Sequence, residues 1–226
     1  MADRAAVFDL DGTLVDNMRY HVEAWLRFCA RRGIAADRSR FEREFAGRKN
    51  EEIVPALLGP GLSPEEIRAI AEEKESEYRR LYRPHLALVA GAGDLLSRLR
   101  RSGVALAIAT AAPLENRRLV IDGLGLASRF DAIIGAEQAP RGKPSPDLFL
   151  AAARALGVPP SACVAFEDAP LGIQAAKAAG MFAVGITTLA SAEELRAAGA
   201  GAAVRDFTAL PSEVEARLFG PAAARP

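Results

Sequence analysis

The sequence predicts an α/β protein: a parallel-sheet core interrupted by an inserted, all-helical domain. Three observations carry this prediction. Short apolar runs at Ala5 to Phe8, Val104 to Ala109, Ala132 to Ile134, Cys163 to Phe166 and Phe182 to Ile186 are each separated from the next by a segment of helical periodicity. Strands that alternate with helices make a parallel sheet. Between residues 17 and 85 the alternation stops, because no run there reads as a strand and amphipathic helices follow one another. Third, the 226 residues are 50% apolar and 26% charged, the balance of a globular chain long enough to bury a core and split into two unequal domains. The core domain is assigned to residues 1–16 and 86–226, and the helical domain to residues 17–85.

Each element has a local reason. The first apolar run ends abruptly at Asp9-Leu10-Asp11-Gly12-Thr13, as a buried strand does on reaching a polar site. In the insertion, Asn50 with Glu51 and Glu52 opens a helix just after Gly47-Arg48-Lys49. Ser63-Pro64-Glu65-Glu66 supplies an N-cap serine, a proline at the first helical position and a glutamate at the third, and its helix runs to Leu81 before Pro84 ends it. Core helices follow Pro113 (to about Leu124), Pro146 (to about Leu156) and Leu171 (to about Ala179), each stopped near a glycine. Their N-termini sit just beyond strand ends, at the carboxyl edge where open parallel sheets bind ligands. The last six residues, from Pro221, read as frayed.

Composition excludes several classes. With 29 Lys+Arg against 29 Asp+Glu the net charge is zero, and no basic stripe with interleaved aromatics invites nucleic acid. The apolar runs fall far short of the roughly 20 residues a membrane span requires. The N-terminal segment lacks the apolar region of a secretory signal, so a cytoplasmic protein without a membrane partner is expected, with a monomer as the default. Cys29 and Cys163, in a helical segment and a strand, read as reduced core thiols. With only His21 and His85 available, a zinc site of histidine and cysteine is excluded, and carboxylates must carry any metal.

Those carboxylates converge in the pattern. Asp9 and Asp11 leave the first strand two residues apart, and strand alternation points both the same way if the strand continues. Asp-Gly is also a common turn dipeptide. The other strand ends add weight: the second stops at Thr110, Lys143 follows the third, and the fourth ends at Glu167-Asp168. In this order the residues resemble the four motifs of the haloacid dehalogenase (HAD) superfamily of phosphotransferases: an Asp-x-Asp-Gly-Thr loop, a Thr or Ser, a Lys, and an acidic pair. The resemblance extends from about Val7 to Ile186 and implies a Rossmann-like (HAD-type) core. It implies that Asp9 is the nucleophile, that Asp11 is the general acid and base and that Thr110 and Lys143 grip the phosphoryl oxygens. It also implies a Mg2+ ion held by Asp9, the Asp11 carbonyl and Asp168, with Glu167 binding through water.

A helical insertion directly after the first motif resembles the cap of the group that contains β-phosphoglucomutase, small sugar phosphatases and phosphonoacetaldehyde hydrolase. The resemblance implies closure over the site about hinges near residues 16–17 and 83–86. Tyr20-His21-Val22-Glu23-Ala24-Trp25 resembles the opening of that cap and implies that His21 contacts the first motif. Gly47-Arg48-Lys49-Asn50 resembles its specificity loop, with Asn50 where the mutases place an arginine. Lys74 aligns with another mutase cap residue, although within Glu72-Glu73-Lys74-Glu75 it also reads as a solvated helix face. Ala111 and Asn116, beyond Thr110, complete the substrate-binding candidates. The expected activity is hydrolysis of a small organic phosphate, such as a sugar phosphate, through an aspartyl phosphate. A phosphosugar mutase is the alternative, with pyrophosphate and phosphonate hydrolysis further off.

Overall fold

A computed structural model of the chain describes residues 2–45 and 48–220, with the side chains of residues 42 and 43 omitted. Among the described residues six parallel strands form one sheet: β1 (Ala5–Phe8), β2 (Ala105–Ala109), β3 (Ala132–Ile134), β4 (Cys163–Glu167), β5 (Phe182–Ile186) and β6 (Ala202–Val204), in the order β3-β2-β1-β4-β5-β6. β1 is central and pairs with β2 from Ala5↔Ala105 and with β4 from Ala5↔Cys163. Both faces are covered, so each strand is apolar on both sides and feeds two cores in alternation. Ala6, Phe8, Leu106, Ile108, Val164 and Phe166 face one core, whereas Ala5, Val7, Ala107, Ala109, Cys163 and Ala165 face the other.

The first core is closed by α5 (Ala92–Arg101), α6 (Leu114–Gly123) and α10 (Ser212–Phe219) through Leu95, Leu96, Val120 and Val214. Across the sheet, α7 (Asp147–Leu156), α8 (Pro170–Ala178) and α9 (Ala192–Ala197) contribute Leu148, Phe149, Ile173 and Leu195. α6, α7 and α8 lie where the prolines and glycines place them.

The expected helical insertion consists of α1 (Met18–Arg31), α2 (Arg38–Arg43), α3 (Asn50–Leu58) and α4 (Pro64–Tyr82), packed around a separate cluster of Val22, Trp25, Phe28, Cys29, Phe41, Phe45, Ile53 and Val54. α4 starts with the expected capping box: the Ser63 hydroxyl accepts from the Glu66 N–H at 3.2 Å and the Glu66 carboxylate from the Ser63 N–H at 2.7 Å. It gives way to a single 3-10 turn at Arg83–His85, where Pro84 breaks the pattern. Asn50 is the first helical residue of α3 rather than its cap, since Lys49 takes the extended cap position. The strand β6 was not expected. It is three residues long among Gly199, Gly201 and small side chains, too short to show alternation. Cys29 and Cys163 are both buried and free, and no described helix is long and apolar enough to cross a membrane. The expected C-terminal fraying falls outside the described residues.

Candidate active site

The site sits where the sheet changes direction. From β1 the chain continues to β2 and β3 on one side and to β4, β5 and β6 on the other, so the loops after β1, β2 and β4 diverge and leave a crevice at their carboxyl ends. Asp9 is the first residue beyond β1, and its N–H still pairs with the Phe166 carbonyl at 3.0 Å, which fixes it to β4. The chain then turns tightly: the Leu10 carbonyl accepts from the Leu14 N–H at 3.0 Å, and the Gly12 N–H donates to the Val15 carbonyl at 2.8 Å and to Asn17 Oδ1 at 3.0 Å. Gly12 has φ +77°, and a Cβ built on it would lie 1.9 Å from Asp168 Oδ2. Glycine is required there both by the left-handed backbone and by the approach of Asp168.

Around this turn the motif residues come together. Lys143 Nζ lies 3.0 Å from Asp9 Oδ1 and donates to Glu167 Oε1. Glu167 is fully buried and its Oε2 accepts the N–H groups of Asp168 and Ala169, each at 3.1 Å. Gly172 makes room for it, since a Cβ there would fall 1.9 Å from the Glu167 carboxyl carbon. Asp168 accepts from the Thr13 hydroxyl at 3.2 Å through Oδ1, while its buried Oδ2 has no hydrogen-bond partner. Thr110, buried at the end of β2, accepts the Ala112 N–H at 3.1 Å and keeps its hydroxyl proton free to donate.

One lysine faces three buried carboxylates, and the electrostatics follow. Burial, with Glu167 and Asp11 adding and Lys143 opposing, pushes the Asp9 carboxyl up to about 7. Burial and the neighbouring Glu167 and Asp9 push Asp168 well above the ordinary carboxylate range. Against the desolvation of its own burial, Lys143 is pushed up by Asp9 and Glu167 and stays charged. Asp9, Glu167 and Asp168 each offer a carboxylate oxygen within 4.8 Å of the others, an all-oxygen set with an orphaned acceptor among them. That donor chemistry fits a hard divalent cation such as Mg2+.

The helical domain covers the crevice from above and leaves a cleft open to solvent. Asp9, Asp11, Thr110, Ala111, Lys143 and Asp168 line it from the core, and His21, Arg48, Asn50 and Lys74 from the cap. Asp11 is bound from both sides. The Asn17 amide donates to its Oδ1 at 2.5 Å, and His21 Nε2 lies 3.6 Å from its Oδ2. Against desolvation, these neighbours hold Asp11 below its ordinary value. His21 stacks on Tyr78 with ring centroids 3.6 Å apart, and its Nδ1 meets Lys74 Nζ at 2.9 Å. Lys74 is therefore buried at 2% exposure, and the solvated-face reading of its charged run is corrected.

Two cap-loop and helix candidates sit elsewhere. Lys49 turns away from the cleft and donates to the carbonyls of Ala136 and Ala139 at 3.0 and 2.8 Å, joining the cap to the loop after β3. Asn116 is buried and faces the cap: its amide donates to Glu75 Oε2 at 2.7 Å and its carbonyl accepts from Arg79 at 3.0 Å. Its side chain is engaged by α4, and its own N–H bonds to the Pro113 carbonyl at 3.1 Å, so it presents no group to a phosphate. Gly47 lies outside the described residues. Asn17, Glu75 and Tyr78 escaped the sequence reading. Glu75 carried a signal, because Glu75, Tyr78 and Tyr82 stand three and seven apart on the buried stripe of α4.

Comparison with known proteins agrees with this geometry. The family model of the haloacid dehalogenase-like hydrolases matches residues 4–180. A validoxylamine A 7'-phosphate phosphatase of Streptomyces hygroscopicus subsp. limoneus is 38% identical over 91% of this chain and 94% of its own length. A β-phosphoglucomutase of Bacillus subtilis is 33% identical over 81% and 83%. Among solved structures, a β-phosphoglucomutase of Clostridium difficile superposes with a TM-score of 0.84 at 30% identity, covering 97% of both chains.

Proposed function

The chain belongs to the haloacid dehalogenase-like hydrolase family, and on that premise we propose that it is a magnesium-dependent phosphatase of a small phosphorylated metabolite, a sugar phosphate above all. The observation that carries this reading is the buried cluster of Asp9, Lys143, Glu167 and Asp168 beneath a cap-enclosed cleft. A carboxylate oxygen of Asp9 attacks phosphorus, an aspartyl phosphate forms and the P–O bond to the leaving group breaks. Asp11 delivers a proton to the departing oxygen, then removes one from the water that attacks the aspartyl phosphate. The Asp9 carboxylate is regenerated and inorganic phosphate is released. Lys143 and the Thr110 hydroxyl hold the phosphoryl oxygens as charge shifts onto them.

The acid role requires Asp11 to hold a proton more firmly than Asp9, the reverse of their order in the cluster as it stands. Two charges restore the order. A cation at Asp9 and Asp168 favours ionised Asp9, and the phosphoryl dianion arriving beside Asp11 raises that carboxyl. Asp9, Asp168 and the Asp11 carbonyl would hold the magnesium, with Glu167 acting through water, and the ion supplies charge neutralisation at the phosphoryl oxygens. Closure of residues 17–85 about hinges near 16–17 and 83–86 excludes bulk water from the site.

A phosphosugar mutase is the second reading, favoured by the relatives named β-phosphoglucomutase and by the contact between His21 and Lys74. It is weakened at Asn50, whose amide is engaged by Glu75 at 2.9 Å rather than left for a second phosphate. Phosphorus NMR of the protein with magnesium and β-glucose 1-phosphate, primed with glucose 1,6-bisphosphate, separates the two. Hydrolysis releases inorganic phosphate, whereas a mutase accumulates glucose 6-phosphate without it. Asp9→Asn should abolish turnover of any phosphate ester that the wild type hydrolyses, with the fold retained by circular dichroism. Full activity in that variant would reject the aspartyl-phosphate mechanism.

A further inference from the structure

The cleft wall contributed by the cap carries a carboxylate for which phosphoryl transfer has no use. Glu75 borders the cleft while its side chain is only 4% exposed. Its Oε1 accepts from Lys74 Nζ at 3.0 Å and from the Asn50 amide at 2.9 Å, and its Oε2 accepts from the Asn116 amide at 2.7 Å. Each carboxylate oxygen has two acceptor positions, so one on Oε2 is left over. Burial by itself would push this carboxyl upward, but Lys74, the His21 ring 3.9 Å away and the two amides bring it down to about 2. It is ionised at any pH at which such a protein works.

The charge balance of the cleft follows. Lys74 is the buried cation of the cap wall, and Glu75 neutralises it at contact distance. Asn50 is turned toward the same carboxylate. Arg48, the other cap cation that lines the cleft, is exposed, where water and salt weaken its pull on an anion. Beside these groups lies an apolar platform: Trp25 stacks on Phe41 with centroids 6.0 Å apart, and Lys74 Nζ sits 5.1 Å from the Trp25 ring. Both rings are buried, so they back the cleft wall rather than offer a stacking face, and the open position on Glu75 suits a hydroxyl proton of a polyhydroxy compound.

We propose that Glu75 sets the substrate class of this site, admitting phosphate monoesters with an uncharged polyhydroxy leaving group and rejecting those that bear a second phosphate. The proposal rests on the phosphatase reading. A second phosphate would give up water against a wall whose buried cation Glu75 already neutralises, and would meet the ionised carboxylate itself with no net positive charge to offset it. A hydroxyl meets no such penalty and gains an acceptor.

The test uses p-nitrophenyl phosphate as reporter, with competitive inhibition by fructose 1-phosphate and by fructose 1,6-bisphosphate measured on wild type and Glu75→Gln. In the wild type the bisphosphate should bind at least about tenfold more weakly than the monophosphate, and Glu75→Gln should shrink that ratio by about tenfold. Asn50→Arg, which offsets the same charge while keeping Glu75, should move the ratio in the same direction and covers the case in which Glu75→Gln fails to fold. A purely structural role would weaken both inhibitors together and leave the ratio fixed. A fixed ratio, equal binding by the wild type, or no inhibition by either ester while p-nitrophenyl phosphate is hydrolysed would overturn the proposal. No hydrolysis of p-nitrophenyl phosphate by wild type with magnesium would instead reject the phosphatase reading beneath it.

Discussion

Single residues decide whether the catalytic cluster can exist. Gly12 is the sharpest case, because its left-handed backbone and the Asp168 carboxylate against its α-carbon each exclude a side chain. Gly12→Ala should cost at least ~2 kcal/mol and abolish activity together, since relief of the clash moves Asp168 out of the cluster. Thermal unfolding beside a turnover assay checks this, and a variant with wild-type stability would show that the contact is not tight. The motif residues were legible in the sequence because each stands at a strand end or, for Lys143, in the loop beyond one, in an order a short search recovers. Glu75 was not named, and Lys74 was a candidate only through the cap resemblance. Within Glu72-Glu73-Lys74-Glu75 the one local signal is the spacing of Glu75 from Tyr78 and Tyr82, and the packing of α4 against α1, α3 and α6 makes the difference between solvated and buried charges. Asn17 was read as a hinge, yet it ties Gly12, Asp11 and Tyr78 together through one amide.

At the scale of elements, cap and core share an apolar contact, in which Ala24, Tyr78 and Tyr82 join the first core, and a set of polar ones. α4 reaches α6 through Glu75, Arg79 and Asn116, while the start of α3 reaches the loop after β3 through Lys49. That loop continues to Lys143, so the cap holds the segment that carries the proposed phosphoryl-binding lysine. Hydrogen bonds from a charged donor are worth about 1.5–3 kcal/mol each, and Lys49→Ala removes two of them. The expected result is a KM raised about tenfold with a smaller change in kcat, largely restored in Lys49→Arg. Steady-state kinetics decide it, and an unchanged KM would mean that this contact does not stabilise the closed arrangement. The helices α4, α6, α7 and α8 were legible because proline, glycine and capping residues punctuate them. β6 was not, because three residues between glycines show neither alternation nor a turn signature.

For the molecule as a whole, the cluster is a source of instability that a ligand relieves. Asp9 has an unfolded value near 3.8 and a folded value of about 7. A carboxyl raised on folding contributes stability that is present below its unfolded value and is lost as pH rises through the folded one. The metal-free protein should therefore melt at progressively lower temperature between about pH 4 and 7, and magnesium should restore stability most at the upper end of that range. Scanning calorimetry with EDTA and with magnesium across those pH values is the check, and a metal-free melting temperature that rises toward pH 7 would contradict it.

The central place of β1 also bears on how the chain is made. β1 precedes every other described strand in the chain, yet its two neighbours begin at Ala105 and Cys163, after the entire cap and much of the core. During synthesis an apolar strand with both edges open must wait for partners distant in sequence, while the cap cluster, whose residues lie between Val22 and Ile70, has what it needs to form first. The proposed nucleophile thus lies in the chain well before the partners that build its surroundings, and the pairing of β1 with β4 is the step that brings Asp9 to Glu167 and Asp168.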